Sequence, residues 1–230
     1  AGGRWLWPQE LKPFFIDLML AACILGFGAE LCCADLYVAG DDVKDMFHTF
    51  PLAALQCWTM GLLRLDPHNL TADSIDAALC AVQARCLEMG VAPSSNWAQR
   101  FLTECNLGFS KRYARANEPL LCELEELHPR FKAWRAARQE LGERTGRDEA
   151  LGHWISGYTD DIIALVIGVK SMVLFLSMHA EHFGPRGINM RMAIAAKRSL
   201  GVSAKFIGGT ILTVGALAYI EREKVLRTDG

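Results

Sequence analysis

Cysteine motifs, strong net charge and long apolar runs are all missing from this sequence of 230 residues. The eight cysteines form no CxxC pair and no zinc-ligand set, which favours reduced, buried thiols in an intracellular protein over a disulfide framework. The longest apolar run near the N-terminus covers residues 18–29, and a bilayer span needs roughly 20 apolar residues. This run therefore predicts a core helix, and we expect no membrane partner.

An excess of either charge is also missing. The formal net charge of -2 and the pI near 6.3 do not by themselves indicate a nucleic-acid-binding protein. The chain is 51% hydrophobic and 22% charged, which is ordinary for a globular protein and favours one domain, with or without an inserted subdomain. The start has neither an initiator Met nor a basic-then-apolar signal arrangement. We interpret the chain as a fragment whose targeting signal is not visible, and we expect a cytoplasmic or nuclear location.

The patterns that are present predict an α+β fold, with an antiparallel sheet backed by helices. A helix is expected from residue 13 to about residue 30, followed by a strand at residues 35–39. A helix start signal at Thr71 or Asp73 predicts another helix that closes at Gly90. The stretch "HWISGYTDDIIALVIG" predicts a β-hairpin, and "AKFIGGTILTVGALAYI" predicts a second one.

A long charged block runs from residue 110 to residue 150 and contains Pro119 and Pro129. Its apolar positions recur at helical spacing while its charges alternate in sign, which predicts a solvated helical insertion broken at the two prolines. The tryptophans, including Trp97 and Trp134, are expected to be packing anchors.

Two adjacent carboxylates, Asp160 and Asp161, stand directly before the buried strand pattern "IIALVI". A solvated turn is the simple explanation, since Asp is common in turns. A second acidic cluster, "GDD" followed by Asp45, comes after the first strand pattern, and the two clusters could meet at one end of the sheet. Carboxylates so close together raise one another's pKa unless a divalent cation neutralises them, and Mg²⁺ prefers such oxygen ligands. Because two Mg²⁺ ions can clamp the oxygens of a phosphoryl displacement, polymerase or nuclease chemistry is a candidate.

Five motifs in order then resemble those of retroelement reverse transcriptases, most closely the DIRS-like and related elements of algae and other protists. They are "DVKDMFHTFPL", "MGVAPSSNWAQRF", "YTDD", "GINMRMAIAAKRS" and "KFIGGTI". Together they run from Asp42 to Ile211, and this order is far more specific than "YTDD" alone. The resemblance implies a reverse-transcriptase-like palm that divides as follows: 1–34, a remnant of the fingers; 35–107, the first part of the palm; 108–149, the helical insertion; 150–230, the second part of the palm with a primer-grip-like hairpin.

The resemblance also implies roles for individual residues. Asp42, Asp160 and Asp161 would bind two Mg²⁺ ions, or Mn²⁺, with Asp161 making the weaker contact. Lys197 would donate a proton to the departing pyrophosphate or neutralise it. Asp41 and Asp45 are not expected to be ligands.

Substrate contacts are implied as well. Phe47 would exclude a 2′-hydroxyl and so select deoxynucleoside triphosphates, and Tyr158 would pack near the primer end. The remaining implied substrate residues line the floor beneath the templating pair: Gly90, Ser94, Ser95 and Gln99. From His182 to Ile220 there are five basic residues and no acidic one, so this region is expected to bind the template and primer, RNA or DNA. The residues expected to contact nucleic acid are Arg186, Arg191, Arg198, Lys205, Phe206 and Gly208.

Two other interpretations stay open at this level. A decayed or domesticated copy would keep the fold and bind nucleic acid without polymerising. A structural or interaction protein would carry these acidic turns incidentally.

Overall fold

The computed structural model describes residues 11–43, 46, 61–65, 79–83, 86, 92–146, 151–158, 160–184, 199–206, 209–213 and 217–220. We number its helices and strands in chain order: α1 Leu11–Leu31, β1 Leu36–Asp42, β2 Gly61–Leu65, β3 Leu79–Gln83, α2 Ala92–Leu127, α3 Pro129–Thr145, β4 His153–Tyr158, β5 Asp161–Ile167, α4 Val169–Phe183, β6 Ser199–Gly201, β7 Ser203–Phe206, β8 Gly209–Leu212 and β9 Leu217–Ile220. The predicted α+β class with helices backing an antiparallel sheet is confirmed.

The central sheet has the strand order β4-β5-β1-β6, and each neighbouring pair is antiparallel. Its inner strand β5 is a continuous apolar run whose residues 162–167 are all buried. Successive side chains of a strand point to opposite faces. Ile162, Ala164 and Val166 therefore join the core cluster that includes α2 and α4, while the alternate residues join a second cluster with α1 and α3.

The predicted first helix is confirmed as α1. Leu18 and Leu25 are buried in the cluster on the β5 face that α1 covers. Gly28 allows a close approach, because a Cβ placed there would lie 2.5 Å from the ring of Trp134 on α3. Trp134 stacks on Phe131, so the expectation that this tryptophan anchors packing is confirmed.

The charged insertion is helical as predicted, but it is not broken at Pro119. Helix α2 continues through this exposed proline to Leu127, and Pro129 then begins α3. A proline removes one helical hydrogen bond, and water can satisfy the carbonyl group that loses its donor on an exposed face. The insertion was expected to be solvated, and this is wrong for the side of the two helices that faces the sheet, where Leu121 and Phe131 are buried.

A buried arginine ties the insertion together. The guanidinium of Arg135 pairs with Glu118 at 2.8 Å and with Glu125, and its Nε donates to the carbonyl of Leu151 at 3.1 Å. Arg135 thereby links α2, α3 and the segment that leads into β4. Charge-assisted hydrogen bonds of this kind hold a guanidinium in one geometry.

Of two further predicted elements, a helix and a hairpin, the first is wrong in part and the second is confirmed. The predicted helix that closes at Gly90 is wrong in its middle, where β3 pairs with β2 in an antiparallel ladder. The predicted second hairpin is confirmed as β7–β8, and β9 extends it to three strands.

Among the cysteines whose side chains are described, none forms a disulfide. None of the helices in the described part of the chain combines the length and apolar character that a bilayer span requires.

Candidate active site

A row of three polar side chains crosses the central sheet at one end. Asp42 of β1 is the register partner of Asp161 of β5, and Asp161 is in turn the partner of Tyr158 of β4. Directly opposed residues of an antiparallel sheet point to the same face, with Cβ atoms roughly 5 Å apart. The row therefore places two carboxylates that are remote in sequence, and one phenol, side by side on the same face.

Asp160 joins this row from the hairpin turn. Its backbone carbonyl accepts a hydrogen bond of 2.7 Å from the N–H of Val43, the residue after Asp42. This bond closes the end of the β1–β5 pair and fixes the turn next to Asp42. The resemblance pairs Asp42 chiefly with Asp160, whereas the register places Asp161 directly opposite Asp42.

Asp41 points to the other face of the sheet. It is the register partner of Ile162, which lies in the cluster that contains α2 and α4. Its Oδ1 accepts the backbone N–H of Asp42 at 2.9 Å. Asp41 therefore helps to hold the backbone of the strand end, in agreement with the expectation that it is not a metal ligand. Asp42, by contrast, points to the face of the carboxylate row, where it is largely buried.

The hairpin is held against α2 by Gln99. The Nε2 of Gln99 donates to the carbonyl of Gly157 at 3.0 Å, and also to the hydroxyl of Thr103 at 3.2 Å. Gly157 immediately precedes Tyr158, so this bond attaches the start of the acidic turn to a long helix. The resemblance predicts Gln99 as a residue of the template floor, and the hydrogen bond gives it a contact with the hairpin.

Gly157 is glycine because α2 approaches it closely. A Cβ at this position would lie 2.8 Å from both Asn106 Nδ2 and Leu102 Cδ2, and 3.0 Å from the backbone oxygen of Asp161. Neither Gly157 nor Asn106 was predicted as a residue of the site. A signal was available for the glycine, since a glycine inside a strand pattern often marks a close backbone approach.

A second contact fixes the other end of β4 on the same helix. Ser110 Oγ lies 3.1 Å from His153 Nε2, and the Tyr113 ring meets the His153 ring edge-on with centroids 4.8 Å apart. Burial lowers the pKa of His153 to about 4, so the imidazole is neutral at physiological pH. Burial also raises the pKa of Tyr113, whose hydroxyl donates to the Ser171 carbonyl at 2.8 Å. Strand β4 is therefore attached to α2 at both ends.

Most of the remaining predicted site residues have no described side chain. Ser94 is described, and it is fully buried in the first turns of α2. Ser95, Lys205 and Phe206 lie in described elements, but their side chains are not described. The predicted residues that lie outside the described ranges altogether are Phe47, Gly90, Arg186, Arg191, Lys197, Arg198 and Gly208. Their roles remain predictions.

The described residues contain no group of three or more His, Cys, Asp or Glu side chains arranged to hold a metal ion. Mg²⁺ seldom uses such an all-protein cage, because it usually binds through one or two carboxylates, water and the phosphates of a substrate. The pair of Asp42 and Asp161 on one face fits that second mode in donor type and in number.

Trp97 differs from its expected role. It is 64% exposed on α2, so the prediction that it anchors packing is wrong. The fully buried residues Ala98, Leu102 and Phe109 face the sheet, and at about 100° per residue Trp97 lies roughly 100–140° away from them around the helix.

Comparison with known proteins gives limited similarity. No protein-family model and no curated protein match the chain. The structure of apo telomerase from Candida tropicalis, truncated from its C-terminal domain, matches with a TM-score of 0.46 and 8% identity over 88% of this chain and 39% of that chain. Telomerase from Candida albicans, in complex with a TWJ fragment of telomeric RNA, matches with a TM-score of 0.40 and 10% identity over 88% of this chain and 34% of that chain.

The chain thus spans less than two fifths of the length of these two neighbours. The likeness is low in both identity and TM-score, and it decides neither the family nor the activity of this chain.

Proposed function

We propose that this chain is the palm of a retroelement reverse transcriptase, of the DIRS-like type, which adds deoxynucleotides to a primer 3′ end on an RNA or DNA template. The observation that carries the proposal is the cross-strand row of Tyr158, Asp161 and Asp42. The sequence resemblance requires these residues to meet, and strand register brings them together independently of that resemblance. Core packing of β5 sets the register, and what supports the proposal is that the two opposed positions at this end of the sheet are both acidic.

The residues present fit two Mg²⁺ ions in their donor chemistry. Asp42, Asp160 and Asp161 offer hard carboxylate oxygens at one end of the sheet, and the triphosphate of the incoming nucleotide would complete the coordination. When bound, the ions would polarise the reacting phosphate and stabilise the attacking and leaving oxygens. The carboxylates lose much of their mutual repulsion on binding divalent cations, which is why the site tolerates them so close together.

The protein's own contribution is to hold this geometry. Gln99 and the close contact at Gly157 fix the hairpin on α2, while the bond from Val43 to Asp160 fixes the turn on β1. Misplacing a catalytic group by about 1 Å can cost a hundredfold in rate, so such contacts matter for catalysis. Tyr158, in the same row, would pack against the primer end.

The remaining roles depend on the resemblance alone. Phe47 would select deoxynucleotides by excluding the 2′-hydroxyl, and Lys197 would assist departure of the pyrophosphate. The basic region that follows α4 would bind the phosphates of primer and template. Such an enzyme would act in the cytoplasm or the nucleus.

Primer extension tests the proposal. The full chain is incubated with a primed RNA or DNA template, deoxynucleoside triphosphates and Mg²⁺, and products are separated by length. Extension that requires Mg²⁺ and is lost in Asp160→Asn supports the proposal. Asp17→Asn, at an exposed position on α1, is the matched control and should extend normally.

Two outcomes would contradict polymerase function. Salt-sensitive binding of the primer-template without extension would instead support a decayed or domesticated copy. Absence of both binding and extension, with the chain folded, would support a structural or interaction protein.

A further inference from the structure

The outer face of α2 carries an exposed aromatic side chain that the site described above does not use. Trp97 is 64% exposed, while Leu102 and Phe109 of the same helix are fully buried against the sheet. Leaving a tryptophan ring in water forfeits the stabilisation that burial would give. An exposed tryptophan on a helix whose rotation is fixed by its buried face suggests a partner for the ring.

Basic side chains follow Trp97 along the same face. At about 100° per residue, Trp97, Arg100, Lys111 and Arg115 lie within an arc of roughly 60°. All four are exposed, and none of the three basic residues takes part in an ion pair within the described part of the chain, whereas the adjacent Arg112 pairs with Glu181 at 3.6 Å. One acidic residue, Glu104, lies on this face. The surface is therefore cationic overall.

The face has a defined direction relative to the candidate active site. Gln99 contacts Gly157 beside the hairpin turn, and Ser110 contacts His153 at the far end of β4. Helix α2 therefore runs antiparallel to β4, with Trp97 at the catalytic end of the sheet. From Trp97 to Arg115 the face extends about 27 Å at 1.5 Å per residue.

We propose that this outer face of α2, defined by Trp97, Arg100, Lys111 and Arg115, binds single-stranded nucleic acid outside the catalytic pocket. Trp97 stacks on a base, and the three basic side chains contact phosphates farther along the same strand. Stacking aromatics combined with a basic track are how proteins bind single strands without reading sequence. The inference rests on the proposed function for the identity of the partner.

The outer face of α2 and the carboxylate row lie on different sides of the sheet, so they would have different roles. Helix α2 packs on the sheet face that carries Asp41, and Asp42 and Asp161 point to the opposite face. A strand that leaves the pocket at the hairpin turn meets Trp97 first and then the basic residues. This surface therefore holds a single-stranded extension of the template and leaves the reacting primer end to the carboxylates.

Fluorescence anisotropy with labelled oligo(dT) and oligo(U) strands tests the inference, without Mg²⁺ and across a range of salt concentrations. Trp97→Ala is expected to weaken binding by roughly fivefold or more, and Trp97→Phe, which keeps a ring, to weaken it less. The double variant Lys111→Gln with Arg115→Gln should lower the slope of log affinity against log salt by about 1.4, or about 0.7 for each lost phosphate contact. The matched control is Arg130→Gln with Lys132→Gln, which removes the same charge from exposed positions on α3.

Each outcome has a distinct meaning. If the wild type binds strands and all variants bind equally, or the α3 control loses as much as the α2 variant, the inference is overturned while the proposed function stands. If the wild type binds no single strand, the inference is overturned, and the proposed function is decided separately by primer extension. If the α2 face takes an acidic protein instead, oligonucleotide affinity will not respond to Trp97. Extension of a primer-template whose single-stranded template overhang is too short to reach Trp97 should be unchanged in all α2 variants, and a large loss there would contradict a site outside the pocket.

Discussion

Asp42 and Asp161 stand directly opposite each other across the β1–β5 pair, although they are remote in sequence. This register is set by the apolar run that follows Asp161, because a slip of one residue would move every side chain of β5 to the wrong face. The same hydrophobic pattern that buries β5 therefore also aligns the two carboxylates. Core packing and the position of the two carboxylates therefore both depend on the register of β5 against β1.

The first prediction concerns the bond between Gln99 and Gly157. Gln99→Met keeps the side-chain length but removes the donor, so the hairpin loses an anchor of about 1 kcal/mol. We expect the kcat of primer extension to fall roughly fivefold with little change in the KM for the incoming nucleotide. Steady-state kinetics on one primer-template measures both constants.

Gln139→Met is the control for this variant, since Gln139 is exposed on α3 and bonds Glu143 of its own helix. A KM increase at constant kcat in Gln99→Met would show that Gln99 contacts the substrate or template directly and does not position the hairpin.

The second prediction concerns the close contact at Gly157. Gly157→Ala introduces a methyl group 2.8 Å from the side-chain ends of Leu102 and Asn106, which are buried and would have to move, and 3.0 Å from the backbone oxygen of Asp161. Overpacking of this kind costs about 1–3 kcal/mol. Urea unfolding should show that loss, together with reduced extension activity.

Gly108→Ala, on the helix α2 that contacts Gly157, gives the opposite expectation. Nothing lies within 4 Å of a Cβ at this exposed position, so alanine should stabilise α2 by about 0.5–1 kcal/mol. Equal stability of the two alanine variants would show that α2 does not press on the hairpin.

The third prediction is a dependence of stability on pH through His153. Its folded pKa of about 4 lies below the ordinary histidine value near 6.5, so the unfolded state takes up the proton first. The contribution of His153 to the free energy of unfolding is fully present above about pH 6.5 and is lost as the pH falls towards 4. At pH 5 the loss from this group is about 2 kcal/mol.

Urea midpoints at pH 7.5 and pH 5 measure this effect. His153→Gln should remove most of the pH 5 loss, while His128→Gln, at the turn between α2 and α3, should keep it. A wild-type protein whose stability falls no more than that of His153→Gln would contradict the burial of a neutral imidazole beside Ser110.

Much of this fold could be predicted because its strongest signals are local. The hairpin of β4 and β5 combines an apolar run with a turn that carries two aspartates, and α1 is a long apolar stretch before a strand. Periodicity indicates strands and not which strands are neighbours, so the residues alone gave the pairing of β1 with β5 only as a possibility, and the resemblance then favoured it.

The errors have physical causes. Residues 79–83 are compatible with a helix, but pairing with β2 makes them a strand. Pro119 lies on an exposed side of α2, where water replaces the missing hydrogen bond, so the helix continues. Trp97 was expected to be buried because most large aromatic residues are, and only the rotation of α2 against the sheet shows that it faces outwards.

The most direct test of the central claim is a Mn²⁺ titration followed by electron paramagnetic resonance, in the presence of a chain-terminated primer-template and a matching nucleotide. The account predicts that Asp42→Asn and Asp161→Asn each weaken Mn²⁺ binding at least about tenfold, because each removes a charged ligand. Asp35→Asn, just before β1 at the opposite end of the sheet, should bind as the wild type does. Unchanged Mn²⁺ affinity in both Asp42→Asn and Asp161→Asn would contradict a shared metal site at this end of the sheet.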